Sequence, residues 1–161
     1  MNDDIFTYRD IQKKTLLNKL KKYCAYQERC HRDVIEKLKK LKADEELTDE
    51  IISQLISENY LNEERFVVAY VRGKHRINKW GRNKIIRELK HRDISSYLIN
   101  KGLEEIIETE YITTLKHLLE EKNKYLKTEN IYERKKKLFT YAYGKGYENE
   151  LTELVLEDIL K

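Results

Sequence analysis

Residues 70 to 89, YVRGKHRINKWGRNKIIREL, hold seven lysines and arginines, one glutamate and the chain's only tryptophan. Arginine offers a planar fork suited to phosphate or carboxylate, and lysine a compact point charge. The chemistry these types can do is anion binding. From Arg72 to Arg92 there are nine Lys/Arg and one acid, Glu88. Acids that would pair with them at i, i+4 are thus nearly absent, and like charges at that spacing cost a few tenths of a kcal/mol per pair. A polyanion outside the chain would relieve that repulsion. The candidate contacts are Arg72, Lys74, Arg76, Lys79, Arg82, Lys84, Arg87 and Lys90, joined by Trp80. Lys135, Lys136 and Lys137 form a second group. If six such side chains met phosphates, log affinity would fall with log salt at a slope of about −5. No helix carries an Asn/Gln/Arg set for reading bases, so contact with DNA is expected to be independent of sequence. The plain alternative for the run is a solvated helix face. For Trp80 it is a half-buried hinge residue, against stacking on a base or partner side chain.

Other chemistries find little support. The cluster CAYQERCH places Cys24, Cys30 and His31 together, without the second ligand pair that zinc wants. YGKGY lacks the spacing of a phosphate-binding loop and follows a helical pattern. No nucleophile–base arrangement is identifiable. The expectation is therefore no catalytic residue, no metal and no cofactor. No apolar run approaches 18 residues, and the acidic start MNDDIFTYRDIQKK has no apolar signal core, so a cytoplasmic protein without membrane spans is expected.

Helices must position the charges. The 161 residues contain no proline and five glycines, and 39% are charged. Such a chain is poor in turn-formers and rich in helix-formers. Apolar residues recur at helical spacing: Val34, Ile35, Leu38 and Leu41; Ile51, Ile52, Leu55 and Ile56; Phe66, Ala69, Tyr70 and Ile77; Ile112, Leu115, Leu118 and Leu119. Tyr70, Tyr141 and Tyr143 fall on or beside such stripes. Thr48, Asn62 and Ser95 read as helix N-caps. The spacing predicts about nine helices, the first from Leu16 to Tyr26, and no strand. From Asp44 to Glu64 eight acids stand without a base. These are caps and solvated surface, or a block that meets a basic surface.

Three segments share one pattern: RDVIEKLKKLKADEELTDEIISQL from Arg32, RNKIIRELKHRDISSYLINKGL from Arg82, and ERKKKLFTYAYGKGYENELTELVL from Glu133. Each reads as a basic helix, a polar turn and a short capped helix. Leu38, Leu89 and Leu138 match, roughly fifty residues apart. With the helix before each pair, the chain is all-α. It is built of three three-helix repeats, at 15–61, 62–106 and 107–161, behind an N-terminal extension, 1–14. One such unit buries a thin core, and stacking extends it, as in solenoids.

These residues also resemble a known family, the RecX regulators of the bacterial recombinase RecA, over about residues 15 to 160. LISENYLNEERFVVAYVRGK resembles the first family signature, a turn entering a long helix, with Asn59 where the family has glycine. WGRNKIIRELKHRDI resembles the second through Gly81, Ile85, Glu88, Leu89 and Ile94, with Arg92-Asp93 in place of Lys-Gly and Arg82 in place of a frequent proline. Lys145, Gly146 and Tyr147 stand at the third signature's turn. The resemblance implies three tandem three-helix repeats in an elongated, curved, right-handed or solenoid-like array. It further implies binding along the groove of the RecA–DNA filament, inhibition of RecA in DNA repair and the SOS response, and no catalysis. The partners expected are the RecA filament and single- or double-stranded DNA, with the chain itself monomeric. Two other readings stand beside this one: a sequence-independent DNA-binding protein acting without RecA, and a helical scaffold that binds only protein.

Overall fold

Charged, alanine-poor helices hold only when an apolar stripe finds a partner. In the computed structural model each helix does so. The structure describes the backbone from Asn2 to Lys161 and side chains from Tyr8 onward. Among the described residues there are nine α-helices and no strand. They are α1 (Asn2–Tyr26), α2 (His31–Lys40), α3 (Glu45–Ser57), α4 (Glu63–Arg76), α5 (Arg82–His91), α6 (Ser96–Leu103), α7 (Glu108–Lys124), α8 (Ile131–Lys145) and α9 (Asn149–Ile159). None is long and apolar enough to cross a membrane. The chain divides into two compact units, residues 1–66 and 67–161.

In the first unit α1 and α2 both pack on α3. Leu16, Leu17, Leu20, Val34, Leu38, Ile51 and Leu55 fill the core. The first helix begins well before Leu16, so the expected extension 1–14 is largely helix. The side chains of its first residues lie outside the described residues. Its later part meets the acidic block. Arg9 reaches Glu46 at 3.3 Å and Asp44 at 3.7 Å, and Lys13 reaches Glu50 at 3.4 Å. Much of that block is thus answered within the chain. The N-cap of α3 is Asp44, whose Oδ1 accepts from the Leu47 N–H at 2.7 Å, and not Thr48, which lies inside the first turn. Cys24 and Cys30 are both buried and not joined in a disulfide, and burial pushes the Cys24 pKa up.

In the second unit α7, α8 and α9 pack mutually, and α5 packs on α6. The inward row of α4 is Val67, Val71 and His75, at i, i+4, i+8. Ala69 is exposed and Ile77 is 81% exposed, against expectation. The helix ends at Arg76, so Ile77 lies past the helical register. On α7 the buried row is Tyr111, Leu115 and Leu119, which turns Ile112 outward. Ile35 and Ile56 are likewise exposed beside their buried neighbours, and Tyr143 points to solvent. Leu38, Leu89 and Leu138 are all fully buried, each in the same place on α2, α5 and α8.

The caps follow elementary chemistry. Asn62 Oδ1 accepts from the Arg65 N–H at 3.0 Å, and Ser95 Oγ from the Leu98 N–H at 3.3 Å. Asn59 and Asp93, which replace family glycines, both adopt left-handed backbone, with φ of 61° and 60°. Asn and Asp tolerate that region best among side-chain-bearing residues. The turns therefore keep a glycine-like geometry without glycine.

Candidate functional site

The basic stretch spans the end of α4, the link 77–81 and all of α5. Backbone contacts with the end of α8 fix the link. The Gly81 N–H donates to the Lys145 carbonyl at 2.8 Å, and the Asn83 N–H to the Gly146 carbonyl at 2.9 Å. Gly146 closes α8 with φ +97°, and a Cβ on it would meet the Lys84 nitrogen at 2.6 Å. The Tyr147 hydroxyl donates to the Lys79 carbonyl at 2.9 Å. Gly81, Gly146 and Tyr147 are thus the joint that docks the start of α5 on the end of α8.

Behind that joint lies a buried polar cluster. Tyr111 and Tyr147 are fully buried, with ring centroids 5.0 Å apart, and His75 is 5.7 Å from Tyr111. The Arg82 guanidinium stacks over the Tyr111 ring at 4.0 Å. It donates to Glu148 at 2.8 Å and also to Glu108. The Tyr111 hydroxyl accepts from the Arg82 backbone N–H at 2.9 Å and donates to Glu148. Burial works against the Arg82 charge, but its bonds to Glu148 and Glu108 prevail and hold its pKa above the ordinary value. Burial, and then the Glu148 carboxylate, push the Tyr111 hydroxyl far up, and burial does the same at Tyr147. Both phenols stay protonated at neutral pH, so the cluster acts as a clamp.

The sequence-predicted contacts divide accordingly. Arg82 is turned inward, its side chain only 22% exposed. Arg72 is exposed but paired with Glu105 at 2.7 Å. Internal carboxylates thus answer these two arginines. Lys74, Arg76, Lys79, Lys84, Arg87 and Lys90 have no carboxylate partner among the described residues. They do not make one continuous row. Lys74 and Lys84 converge on Trp80, their ammonium groups 4.7 and 4.4 Å from its ring centre. The indole holds two like charges near each other, a cost that its π face offsets. Arg76 and Lys79 instead border a cleft of about 370 Å³ against Glu110 and Thr113 of α7. Arg87 and Lys90 face solvent, opposite Ile85 and Leu89. Lys135, Lys136 and Lys137 are exposed on α8. Sequence reasoning placed Tyr147 in a turn but missed Tyr111, Glu108, Glu148 and His75. The i, i+4, i+8 row of Tyr111, Leu115 and Leu119 was the available signal for the first.

His75 is 3% exposed, and its Nδ1 has no hydrogen-bond partner among the described residues. Burial lowers its pKa; Glu110 opposes this, and Arg76, Arg82 and Lys79 reinforce it. The folded chain therefore binds this proton less readily than the unfolded chain. Stability from neutral His75 is complete above the unfolded value, about 6.5, and is lost as pH falls below it. Urea unfolding at pH 7.5 and pH 5.5 should show a larger acid loss for the native chain than for His75→Gln. Parallel losses would refute a neutral, buried imidazole.

The sequence model of the RecX second three-helix domain matches residues 62–103. "Regulatory protein RecX" of Bacillus cereus strain B4264 is 27% identical over 137 residues, covering 85% of this chain and 51% of that protein. Its counterpart from Bacillus cytotoxicus is 26% identical over the same length. The chain is similar to RecX proteins over most of its length. It spans about half the length of the curated RecX relatives it matches. A crystal structure titled as regulatory protein RecX superposes with a TM-score of 0.83 at 20% identity, over 91% of this chain and 73% of that one. RecX from Lactobacillus salivarius gives 0.81 at 20% identity, over 91% and 95%. The fold is thus the all-α helical-repeat fold of RecX. The matched RecX domain holds every candidate contact from Arg72 to Lys90.

Proposed function

We propose that this chain binds the RecA–DNA nucleoprotein filament and acts mainly as an inhibitor of RecA, in DNA repair and the SOS response. The observation that carries the reading is the set of six cations without carboxylate partners, held inside the segment matched to a RecX domain. A folded protein that leaves Lys74, Arg76, Lys79, Lys84, Arg87 and Lys90 unneutralised keeps a local positive field for an anionic partner. Trp80 holds Lys74 and Lys84 in place, and Lys135, Lys136 and Lys137 extend the set in the third repeat. The repeats run 15–61, 62–106 and 107–161. The chain works as a cytoplasmic monomer, is not an enzyme, and touches DNA without reading its sequence. Attraction speeds encounter, and geometry sets the choice of partner.

The test is titration into RecA-coated single-stranded DNA, following RecA ATP hydrolysis. The native chain should inhibit at sub-stoichiometric amounts. A Lys84→Glu, Arg87→Glu, Lys90→Glu variant should need at least about tenfold more protein, since three reversed charges remove roughly six units of attraction. Equal inhibition by both would remove these residues from the contact surface. A salt-sensitive shift of bare DNA with hydrolysis untouched would replace RecA regulation by plain DNA binding.

A further inference from the structure

We propose that a cleft between α7 and α8 docks an acidic protein segment carrying an aliphatic or aromatic anchor. The cleft has a volume of about 820 Å³, within the range of sites that enclose a ligand. Its floor is apolar, formed by Leu126 and the half-buried ring of Tyr141. Lys122, Lys136 and Lys137 stand around it. None of the three has a carboxylate partner among the described residues. Lys122 is instead parked with its ammonium 5.2 Å from the Tyr141 ring centre. Glu133 closes one end, its carboxylate accepting from the Thr128 hydroxyl at 2.8 Å.

An apolar floor with a cationic rim asks for a ligand that is apolar at its centre and anionic at its edges. A peptide rich in aspartate or glutamate with a leucine or phenylalanine meets both demands. Nucleic acid meets only one. Bases bind by stacking on open aromatic faces, and the Tyr141 face is partly buried and partly covered by Lys122. The open rings of α8, Tyr132 and Tyr143, are 84% and 65% exposed but lie outside the cleft lining. Glu133 lies one helical turn from Lys136 and Lys137 on α8, so it is the one acid that competes with the docked carboxylates for these lysines.

The cleft shares Lys136 and Lys137 with the filament reading but no residue of α4 or α5, so failure of the peptide to bind leaves the α5 titration above as a separate test. The test is fluorescence anisotropy of the full chain with a short labelled peptide of aspartate and glutamate carrying leucines. A leucine-to-serine version and an oligothymidylate of equal charge serve as controls. Lys136→Glu with Lys137→Glu should weaken peptide binding about tenfold. Glu133→Gln should tighten it, an outcome that loss of folding cannot mimic. The serine version should bind more weakly than the leucine one. The idea is overturned if the peptide does not bind, if the variants leave its affinity unchanged, or if only oligothymidylate responds to them.

Discussion

Gly81→Ala is expected to destabilise the second unit by about 3 kcal/mol and to lower its melting midpoint by roughly 12–24 °C. Gly81 has φ −79° and ψ 166°, extended backbone that alanine adopts freely. On conformational grounds alone the change should be neutral or mildly stabilising. The cost is steric. A Cβ at this position would fall on the carbonyl carbon and oxygen of Gly146 and the nitrogen of Tyr147, closer than real Cβ atoms come. All three are backbone atoms, and the Gly81–Lys145 and Asn83–Gly146 hydrogen bonds tie them to α5. No side chain can rotate away, so the start of α5 must lift off the end of α8. Gly144→Ala is the matched control: a Cβ there meets nothing within 4 Å, and alanine in a helix should gain about 0.5–1 kcal/mol. Thermal unfolding followed by circular dichroism separates the two. If Gly81→Ala melts with Gly144→Ala, the backbone docking described above is wrong.

Legibility follows from what each kind of signal encodes. Helical period is local, so the helices and the burial of Leu38, Leu89 and Leu138 were readable. The choice of inward row is less local. Phe66, Ala69, Tyr70 and Ile77 are as regular as Val67, Val71 and His75, yet of the first set only Phe66 is buried, because packing partners distant in sequence decide which row turns inward. The start of α1 was missed because residues 2–15 carry a weak apolar stripe; Arg9 and Lys13 find their partners on α3, which a window along the chain cannot see. For the candidate site, sequence located the cations and not their counter-charges. Glu148 is 66 positions from Arg82, and Glu105 is 33 from Arg72. No i, i+4 count reaches so far. The substitutions at family glycines were readable in principle, since Asn59 and Asp93 are the residue types that keep left-handed turns.

Arg82→Ala is expected to cost about 2–3 kcal/mol, whereas Arg72→Ala should stay within about 0.5 kcal/mol. Both arginines show close pairs with glutamate in the structure, so distance does not distinguish them. Surroundings do. Arg72 is 52% exposed beside a single acid, where water and salt compete for both charges. Arg82 is shared by Glu148 and Glu108 and stacked on Tyr111, and its removal leaves the Glu148 carboxylate facing a buried phenol with no cation. Arg82→Lys should recover only part of the loss, because an ammonium cannot fork to two carboxylates and lie flat on a ring. A double-mutant cycle of Arg82→Ala with Glu148→Ala, measured by urea unfolding, should give a coupling above about 1 kcal/mol, and the Arg72–Glu105 cycle a smaller one. The same variants separate clamp from contact in the RecA titration. Held well below its melting midpoint, folded Arg82→Ala should inhibit hydrolysis as the native chain does. A tenfold loss there, with the fold intact, would return Arg82 to the binding surface and show that its glutamates release it when the partner arrives.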